Sequence, residues 1–486
     1  MRLSLLLIAL LAGSASAAAE RKLGSLSFTP CILSNSVAPS TVQAQCTRFE
    51  VLEHRAQPKG RSIELAIAWI PASGVAEADP IFLLAGGPGQ SAREAWPMIA
   101  SAFTEVARAR HVILIDQRGT GQSNPLSCSA PESEDAQLDG SATQARQLAE
   151  RCLTELAPRA DVQHYTTTDA VADLDAVRSA LGAAQINLLG ISYGSRVAQQ
   201  YAKTWPKHTR SVVLDSAITT ALVLGAEHAG NLETAMKAQF ARCRAKPACL
   251  AQLGDPETQL QQVRSALAQG GQPSVRYRDA TSGTWREEVP TLGHLGILLR
   301  MYAYQSLTAA TLPQILQQAA VGDWAPLLAQ ARTTGRQLSE QLMIGMQLSV
   351  LCAEDADELK VNPADSATLI GTGFAEALLA QCAVWPRGQR PADFRAPLTG
   401  KVPVLLLAGE LDPVTPPRYA EVIAAQLPNS RLLLLPGQGH SVLGIGCTPR
   451  LFAQFIETLE VQKLDLACLK QISPTPPFTG LYGWDP

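Results

Sequence analysis

Short apolar runs that end in glycine-rich or polar turns recur in the first half of the chain and again after residue 400. A strand of a parallel sheet gives this pattern, because both of its faces are buried. The pattern predicts six such strands: Ile81–Leu84, Val112–Ile115, Ile186–Leu189, Ser211–Leu214, Val402–Leu407 and Leu432–Leu435.

Between these runs the apolar residues recur at helical spacing. They predict a helix from its cap Thr168 to Gly182, another from Ser195 to Trp205, and a third over Pro417–Leu427. Two strand-like runs ahead of this region, Thr47–Glu53 and Ser62–Ile70, predict a β-hairpin. Strands that alternate with helices predict an α/β fold, a mostly parallel sheet with helices on both faces.

The pattern changes between Ser216 and Ala396. This segment is rich in Ala, Gln and Leu and is predicted to be mostly helical, including Leu342–Cys352, with a small hairpin near Val275–Asp279. We therefore divide the mature chain into a first core part at residues 18–215, a large helical lid or cap at 216–396, and a second core part at 397–486.

The N-terminus has the pattern of an export signal at residues 1–17. Arg2 is followed by the apolar run Leu3–Ala12 and by the small-residue cleavage site Ala15-Ser16-Ala17. The apolar run is too short to span a bilayer. We expect a secreted or periplasmic protein that has no membrane contact once the signal is removed.

The chain has ten cysteines and no C-x-x-C pair. An even number of cysteines in an exported protein permits disulfides, and the missing pair argues against a zinc or redox site. Spacing does not determine connectivity, and our hypothesis pairs neighbours along the chain: Cys31–Cys46, Cys128–Cys152, Cys243–Cys249, Cys352–Cys382 and Cys447–Cys468.

Composition narrows the function classes. Apolar residues make up 46% of the chain and charged residues 17%, as in a globular enzyme, and the formal charge of −3 makes nucleic acid an unexpected partner. No metal-binding or nucleotide-binding motif occurs, so we expect neither a metal nor a cofactor. We also expect a monomer.

Gly190-Ile191-Ser192-Tyr193-Gly194 is a G-x-S-x-G sequence between a predicted strand and a predicted helix. A serine on such a strained turn is the nucleophile of α/β-hydrolases, and the flanking glycines let neighbouring backbone approach. The pattern alone is weak, because it also occurs in ordinary strand-to-helix turns. Its position predicts Ser192 as a nucleophile.

A serine hydroxyl needs a base and an acid that orients this base. His440 follows a predicted strand in a glycine-rich turn, unlike the other six histidines. Asp412 also follows a strand, and the order Ser, Asp, His is that of α/β-hydrolases. Asp215 and Glu410 remain alternative acids at this point.

An oxyanion formed at the substrate carbonyl needs fixed N–H donors. The residue after the nucleophile, Tyr193, is expected to give one backbone N–H. The turn Gly86-Gly87-Pro88-Gly89 follows strand Ile81–Leu84 and is expected to give the other. Pro88 has no N–H, so Gly87 is the first candidate and Gly86 the second.

These motifs together resemble the prolyl and tripeptidyl aminopeptidase family of α/β-hydrolases, and the secreted tripeptidyl branch most. The resemblance covers most of the mature chain and implies an α/β-hydrolase core with a cap, and cleavage of peptides from a free N-terminus. The Asp-Pro-Val-Thr-Pro turn after the fifth core strand favours Asp412 as the acid. The segments that carry it are Gly86–Gly89, Asp116–Ser123, Gly190–Ser195, Gly409–Pro416 and Gly437–His440.

The resemblance also implies an acidic residue of the cap that binds the substrate's ammonium group. The run Val350–Asp355 is similar to the cysteine-plus-acid motif of the tripeptidyl branch, which makes Glu354 the first candidate and Asp355 the second. Either carboxylate could instead pair with an arginine. Prolyl aminopeptidases usually carry Trp where this chain has Tyr193 and His where it has Ala85, so a strict proline preference is not implied.

Two other functions fit parts of this pattern. An esterase or lipase could use the same fold and triad, because neither determines the acyl group. A binding protein could keep the fold without catalysis. Asp116 and Arg118, in the turn after strand Val112–Ile115, are expected to shape that turn rather than to bind substrate.

Overall fold

The structure of the protein is a computed structural model that describes residues 20–36, 40–129, 141–480 and 483. The predicted export signal at residues 1–17 lies outside this part of the chain. The strands are β1 (Arg21–Leu23), β2 (Leu26–Ser34), β3 (Thr41–Leu52), β4 (Ser62–Ile70), β5 (Ile81–Leu84), β6 (Val112–Ile115), β7 (Ile186–Ile191), β8 (Thr209–Asp215), β9 (Val275–Arg278), β10 (Trp285–Glu288), β11 (Val404–Gly409) and β12 (Ser430–Leu435).

Ten of these strands form one sheet in the order β1-β2-β3-β4-β6-β5-β7-β8-β11-β12. Neighbours from β1 to β6 pair antiparallel, and neighbours from β6 to β12 pair parallel. The carboxyl ends of the parallel strands therefore lie along the same edge, where ligands bind in open α/β sheets. Strands β9 and β10 form a separate hairpin.

The helices lie between and after these strands. They are α1 (Ala92–Ile99), α2 (Ala142–Leu156), α3 (Thr167–Ala180), α4 (Tyr193–Thr204), α5 (His228–Arg244), α6 (Pro247–Leu253), α7 (Pro256–Gln269), α8 (Leu292–Tyr302), α9 (Ser306–Ala309), α10 (Leu312–Ala320), α11 (Ala325–Gln341), α12 (Ile344–Glu354), α13 (Gly373–Cys382), α14 (Pro417–Gln426) and α15 (Thr448–Thr458). None of the helices in the described residues is both long and apolar enough to span a bilayer.

Each face of the sheet has its own hydrophobic core, because alternate residues of a strand point to opposite faces. In β5, Phe82 and Leu84 belong to one core, whereas Ile81 and Leu83 belong to the other. A third core joins α5, α7, α8, α10 and α11. Helices α12 and α13 instead pack against the first sheet core through residues such as Met346.

The six predicted parallel strands are all present, and each begins and ends within two residues of its predicted bounds. Two helix starts were wrong. Thr166, not Thr168, caps α3, because its hydroxyl accepts from the Asp169 N–H while the Asp169 carboxylate binds back to Thr166. Helix α4 begins at Tyr193 rather than Ser195, because the strand turns sharply into the helix at Ser192.

The five predicted disulfides are confirmed. Their Cα–Cα distances run from 5.0 to 6.3 Å, within the range that the bond allows. The bond Cys352–Cys382 joins α12 to α13, and Cys31–Cys46 joins neighbouring strands.

Candidate active site

Ser192 lies at the sharp turn between β7 and α4, with φ 55° and ψ −123°. A non-glycine residue with positive φ is strained, and such residues concentrate at functional sites. A Cβ on Gly190 would lie 2.3 Å from the Gly194 carbonyl oxygen, and one on Gly194 would lie 2.1 Å from the Leu84 carbonyl oxygen. The two glycines of the motif are therefore required by close backbone contacts.

Hydrogen bonds hold this turn in place. The Ser192 N–H donates to the Asp215 carbonyl oxygen at 2.9 Å. The Ser195 hydroxyl donates to the Ser192 carbonyl oxygen at 2.5 Å and accepts from the Ile218 N–H at 3.0 Å. The Ser192 backbone is thus fixed by strand β8 and, through Ser195, by the segment that follows this strand.

His440 and Asp412 meet as the sequence predicts. The distance between His440 Nδ1 and Asp412 Oδ2 is 2.8 Å, and both side chains are buried. Asp412 also accepts from the N–H groups of Val414 and Thr415, at 2.9 and 2.8 Å, and from the Thr415 hydroxyl at 2.7 Å. The carboxylate is thus oriented by its own turn, and it binds the imidazole at Nδ1.

These contacts shift both pKa values. Burial opposes ionisation of Asp412, but the nearby His440 and the hydrogen bonds outweigh it and lower the pKa to about 2. Burial alone would lower the pKa of His440, and the Asp412 carboxylate raises it above its ordinary 6.5. Asp412 is therefore ionised at neutral pH, and the pair favours an imidazolium.

The alternative acids have other contacts. The Asp215 carboxylate accepts from the N–H groups of Val442 and Leu443, at 2.9 and 3.0 Å, and burial raises its pKa to about 6. Glu410 accepts from the Gly437 N–H at 2.6 Å. Both support the backbone of the turn around His440, whereas Asp412 binds its ring.

Asp215 joins the two halves of the site. Its carbonyl oxygen binds the Ser192 backbone, and its carboxylate binds the backbone two and three residues after His440. No hydrogen bond between the Ser192 hydroxyl and the imidazole is present among the described residues. Such bonds are often long in a free enzyme and shorten when substrate binds.

The predicted oxyanion turn lies beside Ser192. A Cβ on Gly86 would be 3.1 Å from the Ser192 Cβ. Gly87 has φ 104°, a backbone conformation that favours glycine. The Met343 N–H donates to the Gly89 carbonyl oxygen at 3.0 Å, so the chain before α12 covers this turn. The assignment of the Gly87 and Tyr193 N–H groups as oxyanion donors stays a prediction.

Glu354 is the last residue of α12, and hydrogen bonds through Thr167 link it to Tyr193, the residue after Ser192. It accepts from the Thr167 N–H at 2.7 Å and from the Thr167 hydroxyl at 2.9 Å, and this hydroxyl is 2.7 Å from the Tyr193 hydroxyl. Arg196 lies 3.5 Å away. Burial raises the pKa of Glu354 to about 7, although Arg196 acts in the opposite direction.

Asp355 has two arginine partners. Arg196 donates to it at 2.8 and 3.2 Å, Arg395 donates at 3.0 Å, and the Leu224 N–H donates at 3.0 Å. Both Asp355 and Arg196 are fully buried. This carboxylate is therefore compensated within the protein, which is the alternative that the sequence analysis left open for it.

Asp116 and Arg118 have structural contacts. Asp116 accepts from the Ser91 hydroxyl and from the N–H groups of Arg93 and Gln122. Arg118 donates to the Asp173 carboxylate and to backbone carbonyls. In the part of the chain that the structure describes, no group of three or more His, Cys, Asp or Glu side chains could hold a metal ion.

Three contacting residues were missed by the sequence analysis: Thr167, Arg196 and Thr415. Thr415 had a signal, because it lies three residues after Asp412 in a turn, where a hydroxyl can bind the carboxylate. Thr167 and Arg196 had none, because their partners lie more than 150 residues away along the chain.

Comparison with known proteins adds two family matches. Residues 79–242 match the family described as alpha/beta hydrolase fold, and residues 367–468 match the family described as TAP-like protein. The first segment contains Ser192, and the second contains Asp412 and His440.

Three relatives show the range of names among similar proteins. The chain is 26% identical to the serine protease Hip1 of Mycobacterium tuberculosis over an alignment of 467 positions that covers 87% of each protein. It is 30% identical to a tripeptidyl aminopeptidase of Streptomyces coelicolor over an alignment of 226 positions that covers 42% of this chain and 40% of that enzyme. It is 29% identical to the proline iminopeptidase of Neisseria gonorrhoeae over 143 residues, 29% of this chain and 34% of that enzyme.

Proposed function

This chain is an α/β-hydrolase of the serine peptidase and aminopeptidase type, and we propose that it is a secreted exopeptidase that cleaves peptides from a free N-terminus. The predicted fold class, family resemblance and enzyme class are confirmed by these matches. The finer proposal concerns the substrate end, the residues that act on it and the location of the protein. The contact of 2.8 Å between His440 Nδ1 and Asp412 Oδ2 supports the catalytic residues of this proposal.

We assign Ser192 as nucleophile, His440 as general base and Asp412 as the acid that orients it. Asp412 binds Nδ1, so Nε2 is the nitrogen left to take the Ser192 proton as the hydroxyl attacks a carbonyl. The imidazolium then protonates the leaving amine, and water releases the acyl-enzyme. Backbone N–H groups of Gly87 and Tyr193 would stabilise the oxyanion in both steps.

We propose that Glu354 binds the substrate's ammonium group, with Asp355 as the second candidate. Glu354 is linked to Tyr193, the neighbour of Ser192, through Thr167. Its pKa of about 7 means that a bound cation would favour the ionised form near neutral pH. The two arginine partners of Asp355 make Glu354 the better candidate.

Secretion and the division into domains are also proposals. Five disulfides are typical of a protein outside the reducing cytoplasm. The third core, built from helices between residues 228 and 341, supports a cap at 216–396 between the two core parts.

A matched substrate pair tests the exopeptidase proposal. We expect the protein to hydrolyse a tripeptidyl arylamide with a free amine, and to lose at least about tenfold in kcat/KM when that amine is acetylated, because the carboxylate then lacks a cation. Prolyl and other single aminoacyl arylamides in the same panel determine how many residues are released. Equal turnover of free and blocked substrates, together with fast ester hydrolysis, would instead support an esterase.

Two variants connect this result to the assigned residues. Glu354→Gln is expected to raise KM for the free amine about tenfold or more and to leave the acetylated substrate unchanged. Glu358→Gln is the matched control, because that side chain is about half exposed. Fluorophosphonate should label the wild type and not Ser192→Ala, and an unlabelled wild type would contradict the enzyme mechanism.

A further inference from the structure

The loop that carries His440 is held from two sides. After His440, the Ser441 N–H donates to the Ser216 hydroxyl at 2.8 Å, and the Asp215 carboxylate binds the next two N–H groups. These contacts come from the end of β8, and therefore from the sheet. They leave the backbone polar groups of His440 itself to be supported by another part of the chain.

That support comes from the segment 303–306, which joins α8 to α9. The His440 N–H donates to the Tyr304 carbonyl oxygen at 2.7 Å. The Gln305 side-chain amide donates to the His440 carbonyl oxygen at 3.3 Å. The Ser306 hydroxyl donates to the Gln438 side chain at 3.1 Å. Both backbone polar groups of His440 thus bind one short segment.

Tyr304 also contacts the imidazole directly. The two ring centroids lie 4.9 Å apart and the ring planes are inclined by 64°, an edge-to-face arrangement. Asp412 binds one ring nitrogen, so the carboxylate and the tyrosine ring together limit rotation of the imidazole. A residue other than Ser192, Asp412 and His440 therefore contacts the imidazole of His440.

The fit between the two segments leaves no space for a side chain at Gly439. A Cβ there would lie 2.3 Å from the Tyr304 carbonyl oxygen and 3.1 Å from the Ala303 carbonyl oxygen. Both are backbone atoms, which cannot rotate away as a flexible side chain can. Gly439 therefore allows the close approach of the two segments.

From these contacts we infer that Tyr304 is a positioning residue for His440, and that segment 303–306 sets the distance between the imidazole and Ser192. The inference rests on the proposed role of His440 as general base. It makes part of the region between residues 216 and 396 necessary for the reactivity of Ser192, whatever the substrate. A displacement of about 1 Å at a catalytic group can reduce the rate about 100-fold.

The rate of labelling by a fluorophosphonate tests this inference, because it reports the reactivity of Ser192 without a peptide. Tyr304→Ala is expected to reduce the labelling rate and kcat about 10- to 100-fold, with KM changed less than about threefold. Tyr304→Phe keeps the ring and is expected to recover most of the rate. A labelling rate for Tyr304→Ala equal to that of the wild type would overturn the inference.

A second pair of variants guards against a folding defect. Gly439→Ala should push segment 303–306 away from the loop and reduce the labelling rate at least tenfold. Gly444→Ala is the control and should be labelled normally, because Gly444 lies four residues past His440 and its Cβ would have no atom within 4 Å. Gln305 is exposed, so Gln305→Ala should fold and lose a smaller factor, about three- to tenfold. Normal labelling by both Gly439→Ala and Gln305→Ala would also overturn the inference.

The failure of the proposed function would look different. If His440 were not the base, His440→Ala would label like the wild type, and the Tyr304 variants would have no catalytic meaning. If His440→Ala abolished labelling and Tyr304→Ala did not change it, only the role of Tyr304 would be wrong. Thermal unfolding of every variant separates a lost contact from a lost fold.

Discussion

At the scale of single residues, the site depends on how buried charges are compensated. Asp412 has four hydrogen-bonding partners, and its charge is opposed by His440. Asp355 is compensated by two arginines, whereas Glu354 has one arginine at the longer distance of 3.5 Å. Burial raises the pKa of Glu354 to about 7, and the single arginine offsets only part of this effect.

The pH dependence of activity follows from the imidazole. His440 must be neutral to accept the Ser192 proton, and Asp412 raises its pKa above 6.5, so kcat/KM of the wild type should fall as the pH drops through that raised value. In Asp412→Asn, burial still lowers the pKa of His440 and Asp215 is left to raise it, so the midpoint of the pH profile should move to lower pH. The value of kcat should fall about 10⁴-fold. The labelling rate measured against pH checks both effects. An unchanged midpoint would contradict the Asp412 assignment.

Asp355 is expected to matter mainly for stability. Asp355→Ala leaves Arg196 and Arg395 without this partner in a buried site, and removal of one member of a buried ion pair costs about 3–5 kcal/mol. Asp357→Ala is the control, because that carboxylate is 48% exposed and its pair with Arg390 is worth less than about 1 kcal/mol. Urea unfolding measures both. Similar losses of unfolding free energy in the two variants would show that the buried ion pairs of Asp355 stabilise the protein no more than the exposed pair of Asp357.

At the scale of elements, the turn between β7 and α4 combines one strained residue with two close backbone approaches. Ser192 has positive φ, and the glycines on either side avoid contacts with backbone oxygens. The strain at Ser192 is compatible with folding because β5 and β8 bind β7 on both edges. The same pairing places the end of β7 beside Asp215.

A methyl group at Gly194 should disrupt this turn. Its Cβ would lie 2.1 Å from the Leu84 carbonyl oxygen, so Gly194→Ala should cost about 3 kcal/mol or more and abolish labelling of Ser192. Gly230→Ala, in α5 with open space around its Cβ, should instead be neutral or add up to about 1 kcal/mol. Thermal unfolding and labelling of the two variants are the measurement. Wild-type behaviour of Gly194→Ala would show that the elbow geometry is wrong.

At the scale of the whole molecule, the segment between residues 216 and 396 serves two cores. Its helices α5, α7, α8, α10 and α11 share their own hydrophobic core, whereas α12 and α13 pack on a face of the sheet. The disulfide Cys352–Cys382 ties these two helices together, and Cys352 lies within the run Val350–Asp355 that is predicted to bind the amine. The segment is therefore joined to the sheet by packing as well as by its two ends.

Removal of disulfides should reflect the length of chain that each closes. With loop-closure entropy as the main cause, the Cys352→Ala/Cys382→Ala pair, with a separation of 30 residues, should cost about 3–4 kcal/mol. The Cys243→Ala/Cys249→Ala pair, with a separation of 6, should cost about 2 kcal/mol. Urea unfolding of the two double variants gives the comparison. A reversed order would indicate that packing of the sulfurs, not loop length, dominates.

The amino-acid sequence by itself determined the strands and the candidate residues that follow them, and it favoured one set of disulfide pairs. Apolar runs of four to six residues that end in turn residues are typical of buried strands, and β5 and β6 have the bounds that their runs predict. The motifs that indicate a nucleophile, an acid and a base are also local, because they consist of the residues next to Ser192, Asp412 and His440. Short loops likewise favoured the disulfide pairs that the structure contains.

Only the tertiary structure decided what surrounds these residues. The sequence could not distinguish the roles of Asp215 and Asp412 from the residues alone, because both follow strands, and the hydrogen bonds of the fold separate them. Tyr304, Thr167 and Arg196 gave no signal, because a contact between residues more than 100 positions apart depends on how whole elements pack. Local patterns determine elements, whereas packing determines which side chains meet.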